Sequence, residues 1–222
     1  MFATVPNFLT ALRLASAPLL AIVYLLLPRP YADFVALVLF VLASLTDWVD
    51  GYLARAWGQV TRVGAMLDPI ADKAMVVIAL AVLAAKSSLG DLLLLPAALI
   101  LFREVFVSGL REFLGQVAGT LKVTQLAKWK TTVQMVAISV LFAHGIFEHQ
   151  LIASSYGMDA GMVAATLAGE MADPQGLGWK FWLMELAAWG GLALLWLAAI
   201  LTLVTGWDYF RKSLPHLKGS EG

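Results

Sequence analysis

The sequence predicts an all-α integral membrane protein: six transmembrane helices, with a short N-terminal amphipathic interfacial helix ahead of the first. Three observations carry that prediction. Of 222 residues, 61% are hydrophobic and 14% charged, and the mean hydropathy of +0.83 lies outside the range of soluble domains. The apolar residues fall in stretches long enough to cross a bilayer, separated by short polar or Pro/Gly breaks. Of the 15 Lys and Arg residues, twelve flank one set of segment ends and only Arg29, Lys86 and Lys180 the other. That asymmetry places both termini in the cytoplasm. No repeat or composition shift divides the chain, so residues 1–222 read as a single membrane domain.

The elements follow in order. Residues 1–13 read MFATVPNFLTALR. Thr4 or Asn7 can cap a helix there. Phe8, Leu9 and Leu12 share one face while Thr10 and Arg13 lie off it, the pattern of an interfacial lead-in. The first span completes at 14–27, with Pro18 as a kink. The second runs over 32–56, the third over 64–85 and the fourth over 92–114. A polar, basic connection fills 115–130, the fifth span takes 131–147, and a long acidic loop covers 148–178. The sixth runs over 179–209. The N-terminus lacks a basic n-region and an A-x-A site, so the first helix is expected to act as its own targeting signal. Cysteine is absent, which excludes disulfides, thiolate catalysis and Cys-ligated metal.

Chemistry concentrates between positions 47 and 72, DWVDGYLARAWGQVTRVGAMLDPIAD. Carboxylates are costly inside apolar segments, so Asp47, Asp50, Asp68 and Asp72 mark a functional site. Asp47 and Asp50 are three residues apart, Asp68 and Asp72 four, so each pair shares a helix face. Gly51, Ala54 and Gly58 leave the first face nearly bare, open to close approach. The short connection between the helices makes them antiparallel neighbours and turns both carboxylate pairs toward each other. Four like charges at close range repel. One or two divalent cations relieve that, and hard oxygen ligands suit Mg²⁺ or Mn²⁺, with Mg²⁺ usually shared with phosphate oxygens. The stretch therefore predicts a membrane-embedded site for a metal-bound phosphate compound, with Asp47, Asp50 and Asp68 as ligands.

A second, basic cluster follows. Arg103 and Arg111 lie about two turns apart on the fourth helix, near Glu104 and Ser108. Lys128, Lys130, Thr131 and Thr132 begin the fifth helix, whose N-terminus is an anion site. Together they suit a phosphate-bearing acceptor. The plainer alternative is that these cations set topology or meet anionic headgroups.

Written as D47-x2-D50-G51-x2-A54-R55-x8-G64-x3-D68-x3-D72, eight fixed positions over 26 residues, the stretch resembles the signature of the CDP-alcohol phosphatidyltransferases. The resemblance implies that Asp72 is both metal ligand and general base. It also implies that Gly51, Ala54 and Gly64 lie against CDP-diacylglycerol and that Arg55 clamps its pyrophosphate. Pro6, Asn7 and Thr61 match positions near the nucleotide. Arg55 could otherwise be a snorkelling interface arginine, and Thr61 a plain polar loop residue. The segments REVFVSGLRE (103–112) and KWKTTVQMVA (128–137) resemble those of members that use glycerol 3-phosphate as acceptor. On that footing Arg103, Arg111, Lys128, Lys130 and Thr131 bind the acceptor, two Mg²⁺ ions serve as cofactors, and the enzyme is a homodimer of the bacterial cytoplasmic (inner) membrane. The loop 148–178 is longer than the family pattern. Rival readings are another acceptor (serine, inositol phosphate or phosphatidylglycerol), a membrane prenyltransferase, or a divalent-cation transporter.

Overall fold

The computed structural model describes residues 4–58, 61–120 and 125–218; the side chains at 48, 50–55, 116, 118, 120, 125, 127 and 128 lie outside that description. Among the described residues the chain is helical and without strands. The helices are α1 Val5–Leu26, α2 Tyr31–Ala56, α3 Arg62–Lys86, α4 Gly90–Leu114, α5 Gln125–Ser154, α6 Ala160–Leu167 and α7 Leu177–Lys218, with a 3₁₀ turn, Gly115–Thr120, between α4 and α5.

Local chemistry sets the ends. Thr4 caps α1, its hydroxyl accepting from the Asn7 N–H, and Pro6 occupies the first turn, where a missing N–H costs nothing. Thr61 caps α3 by accepting from the Gly64 N–H at 3.0 Å. Gly115, at φ 51°, ends α4 in a conformation that side chains resist.

The six long helices close into a ring in the order α1–α2–α5–α7–α4–α3, and α3 also meets α5 across the middle. The interior is lined by small residues, Ala17, Ala36, Ala79, Ala137 and Ala198, around Phe40, Ile138 and Phe142. Small interior residues let helices approach where lipid supplies no hydrophobic drive. At Gly191 a Cβ would lie 2.8 Å from Leu141 Cδ2, which explains how α7 seats on α5. Large apolar side chains point outward instead: Leu25, Phe102, Val105 and Trp182 are all exposed. That inverted distribution is a lipid-facing surface. Among the described residues, four helices or helix segments, Val5–Leu26, Gly90–Leu114, Trp129–Ser154 and Leu177–Leu217, are long and apolar enough to cross a membrane, so the chain is a multi-pass membrane protein.

The structure departs from the sequence reading in four places. The lead-in is not a separate interfacial helix: it forms the first turns of a continuous α1. Its polar face turns inward, with Pro6, Asn7, Thr10 and Arg13 buried and Phe8 and Leu12 exposed. α2 and α3 do touch, as expected, but each packs far more extensively on α1, which stands between them. α5 begins at Gln125 rather than 131, so the 130 and 131 amides are already inside the helical ladder and do not form an N-terminal anion site. The 148–178 segment is partly ordered: α5 runs on to Ser154, and Asp159 caps α6 through the Met162 N–H at 2.8 Å.

A polar network closes the end of the ring away from the aspartates. Arg29 donates to both oxygens of Asp33 at 2.7 and 3.0 Å and to the Lys86 carbonyl at 2.8 Å. Tyr24 donates to Asp33 at 2.8 Å, and Arg29 meets Glu148 at 3.6 Å. This ties α1, α2, α3 and α5 together. It explains why Asp33 is tolerated while buried: a bidentate guanidinium satisfies it.

Candidate active site

The site is assembled on α1. Asn7, Thr10 and Arg13 recur every third residue, so they form one polar stripe, and the ring order points it at α2 and α3. Arg13, 2% exposed, reaches Asp47 of α2 through Nη1 and Asp68 of α3 through Nη2 at 3.4 Å. Thr10 donates to Asp68 Oδ1 at 2.8 Å. Below them, the Thr61 hydroxyl donates to Asn7 Oδ1 at 2.8 Å. Gly64 is pressed against the same pair: a Cβ there would lie 2.8 Å from Asn7 Oδ1 and 3.2 Å from Thr61 Oγ1. Pro6, Asn7, Thr61 and Gly64, expected at the nucleotide, are thus brought together.

The electrostatics are unequal. The Arg13 side chain is 1% exposed, while those of Asp47 and Asp68 are 48% and 47% exposed. A buried guanidinium lies under two open carboxylates. It offsets part of their repulsion and leaves oxygen atoms facing outward. Together with Asp72, one turn further along α3, these form a set of hard oxygen donors that a divalent cation could use. Among the described residues no three acidic or histidine side chains gather closely enough to hold a metal unaided. Asp50, the expected fourth ligand, lies outside the described side chains, as do Gly51, Ala54, Arg55 and Lys128.

Asp72 opens on a second compartment. It lines a cavity of about 40 Å³ with Lys73, Val76, Glu104, Lys130, Thr131, Gln134 and Met135. Glu104 of α4 accepts from Lys130 of α5 at 2.5 Å and from Arg103 at 3.0 Å. Lys73 donates to Ser108, which donates to the Glu104 carbonyl. Lys73 and Lys130 therefore face the carboxylates of Glu104 and Asp72 across the cavity, and Arg103, outside that lining, holds Glu104 from behind. Gln134 Oε1 is buried without a hydrogen-bond partner, an acceptor available to a hydroxyl. Arg111 does not line this cavity. It stands 5.8 Å over the Tyr209 ring of α7.

Of the residues expected from the sequence, Asp47 and Asp68 gather at Arg13, and Asp72, Lys130 and Thr131 at the cavity; beside them stand Thr10, Lys73 and Gln134, which that reading did not include, and Glu104, which it noted only as lying near the arginines. The signal for Arg13 and Thr10 was present: the polar stripe of the lead-in. For Gln134 it was a polar residue inside a spanning segment, one helical turn after Lys130, and for Glu104 a carboxylate next to Arg103 in such a segment.

A ring of helices that sets carboxylates from two helices beside a lysine-lined cavity is an arrangement suited to phosphoryl transfer. Residues 3–204 match the family model described as CDP-alcohol phosphatidyltransferase, and the chain belongs to that family. It is 55% identical to a CDP-diacylglycerol–glycerol-3-phosphate 3-phosphatidyltransferase of Cereibacter sphaeroides, over 97% of each chain. It is 38% identical to the protein of the same name from Rickettsia bellii, over 93% of each. A third, from Haemophilus influenzae, is 42% identical over 62% of this chain and 74% of its own.

Proposed function

We propose that this chain transfers the phosphatidyl group of CDP-diacylglycerol to glycerol 3-phosphate, yielding phosphatidylglycerophosphate and CMP. The observation that carries this reading is the position of Asp72. It stands on α3 between the open carboxylates of Asp47 and Asp68 and the cavity lined by Lys73, Glu104 and Lys130. A donor bound at the first compartment and an anionic alcohol bound at the second would meet at that side chain.

In this mechanism Pro6, Asn7, Thr61 and Gly64 seat the nucleotide, and Gly51, Ala54 and Arg55 complete its floor and pyrophosphate clamp. Lys130, Arg103 and Thr131, with Lys128, draw in the acceptor's phosphate, and Glu104 holds Lys130 and Arg103 in place. Asp72 takes the proton of the acceptor's C1 hydroxyl as its oxygen bonds to the lipid-side phosphorus. The bond from that phosphorus to the CMP oxygen breaks, and CMP leaves. The donor chemistry of Asp47, Asp50, Asp68 and Asp72 fits Mg²⁺, two ions, with Mn²⁺ also suitable, and the metal would neutralise charge on the pyrophosphate. α2 and α3 complete six spans, the chain works as a homodimer in the bacterial inner membrane, and the site and both termini face the cytoplasm. The twelve-to-three distribution of basic residues supports that orientation.

The test is CMP release by purified protein with CDP-diacylglycerol and Mg²⁺, using glycerol 3-phosphate, serine, inositol phosphate and phosphatidylglycerol in parallel. Release with glycerol 3-phosphate alone, reduced at least 1,000-fold in Asp72→Asn, is expected. Release only with another alcohol would overturn the acceptor assignment but keep the family chemistry.

A further inference from the structure

Arg103 has two sides. Its Nη1 holds Glu104 at the acceptor cavity. Its stem lies against α7, where Nη2 donates to Thr205 at 3.3 Å and a Cβ on Gly206 would come within 2.9 Å of Arg103 Cγ. On that side opens a groove of about 260 Å³, walled by Phe102, Phe106, Leu203, Trp207 and Phe210 around Gly206 and the Arg103 stem. Phe210 packs on both Phe106 and Trp207, with ring centroids 5.7 Å apart in each pair, so the aromatic wall is built rather than incidental.

We propose that this groove binds one acyl chain of an anionic phospholipid from the surrounding membrane. The wall is almost wholly apolar side chain, which suits a hydrocarbon chain. Charge selects the headgroup. Both helices become basic toward the same end: Arg111 lies five residues beyond Phe106 on α4, roughly 7.5 Å along the axis. On α7, Arg211 and Lys212 follow Phe210 directly. Lys212 is partly engaged by Asp208 at 2.6 Å, and Arg111 is held over Tyr209, beside Arg211. A chain in the groove brings its phosphate to these cations.

Because Arg103 lines the groove and also holds Glu104, which lines the acceptor cavity, an occupied groove fixes that guanidinium. Lipid occupancy then tunes acceptor binding, a coupling that rests on the proposed function; the lipid site itself does not.

The test is native mass spectrometry of the full chain released from vesicles of equal phosphatidylglycerol and phosphatidylcholine content. Wild type is expected to retain one phosphatidylglycerol per chain with at least fivefold preference over phosphatidylcholine. Gly206→Leu and Leu203→Trp, which fill the groove from two positions, lose that lipid at least fivefold. Leu94→Ala, on the lipid-facing side of α4 away from the groove, keeps it. Equal retention by wild type and both groove variants overturns the proposal. So does equal retention of the two lipids, or a change in the number of associated chains in place of lipid loss. In variants that lose the lipid, the KM for glycerol 3-phosphate shifts severalfold while that for CDP-diacylglycerol does not. If the retained lipid disappears but no acceptor supports CMP release even in wild type, the function is wrong and the lipid site stands.

Discussion

Arg13 is the residue on which the site depends most. A buried guanidinium spanning two helices cannot be replaced by a point charge, because one planar fork reaches both carboxylates. Arg13→Ala should lower CMP release roughly 100-fold, about 2.7 kcal/mol of transition-state free energy, and Arg13→Lys should recover part of the loss. A rate within threefold of wild type for Arg13→Ala would remove Arg13 from the site. The residue was visible in the sequence but its direction was not. Periodicity defines a polar face without saying whether that face meets water or protein. In lipid the apolar face turns outward, and the stripe read as solvated is the interior one. The aspartates escaped this ambiguity because a carboxylate inside an apolar stretch has no inexpensive outward solution.

At the scale of elements, the start of a helix proved harder to read than its existence. α5 begins six residues before the expected start, because Trp129 and Leu126 continue its apolar pattern through a basic stretch that resembles a loop. α6 was hidden inside a segment read as loop, although Asp159 ahead of AGMVAATL is a capping signal. α7, at 42 residues, spans roughly 63 Å, about twice the hydrocarbon thickness, so it carries its last turns well clear of the bilayer. Its start is held by Asp173, whose carboxylate accepts from the Leu177 and Gly178 amides at 2.7 and 2.9 Å. Those backbone N–H groups, Gly178 foremost, lower the Asp173 pKa below its ordinary value of 3.8. A depressed acid stabilises the fold above its unfolded-state pKa and loses that contribution as pH falls through the folded-state value. Asp173→Ala should therefore lower the thermal midpoint at pH 7, and the gap from wild type should close once the pH falls through the folded-state value and the carboxyl is protonated in both states. A gap that stays unchanged through full protonation of the carboxyl would show that its charge does not act there.

The whole molecule is a ring whose two ends differ in kind. One end is tied shut by Arg29, Asp33, Tyr24 and Glu148; the other carries the open carboxylates and the lysine-lined cavity. The all-helical, membrane-spanning character was legible from composition and segment length, which depend on the solvent alone. The ring order was not, since the short 57–63 connection argued for α2 beside α3, and only tertiary packing inserts α1 between them. Orientation is open to a direct measurement, because the chain contains no cysteine and any introduced thiol is unique. Tyr156→Cys, on the α5–α6 turn, should react with a membrane-impermeant maleimide applied to intact cells. His216→Cys, near the end of α7, should react only after lysis. The reverse pattern would invert the assigned topology.

The insertion of α1 between α2 and α3 also sets an order of assembly. Asp68 follows Arg13 by 55 residues, so at about 5–20 residues per second the first helix waits about 3 to 11 s for its second partner to be synthesised. Through that interval a nascent helix with a guanidinium on its inner stripe must be held where the charge stays hydrated. The first helix made can thus complete its contacts only after two later helices have been synthesised.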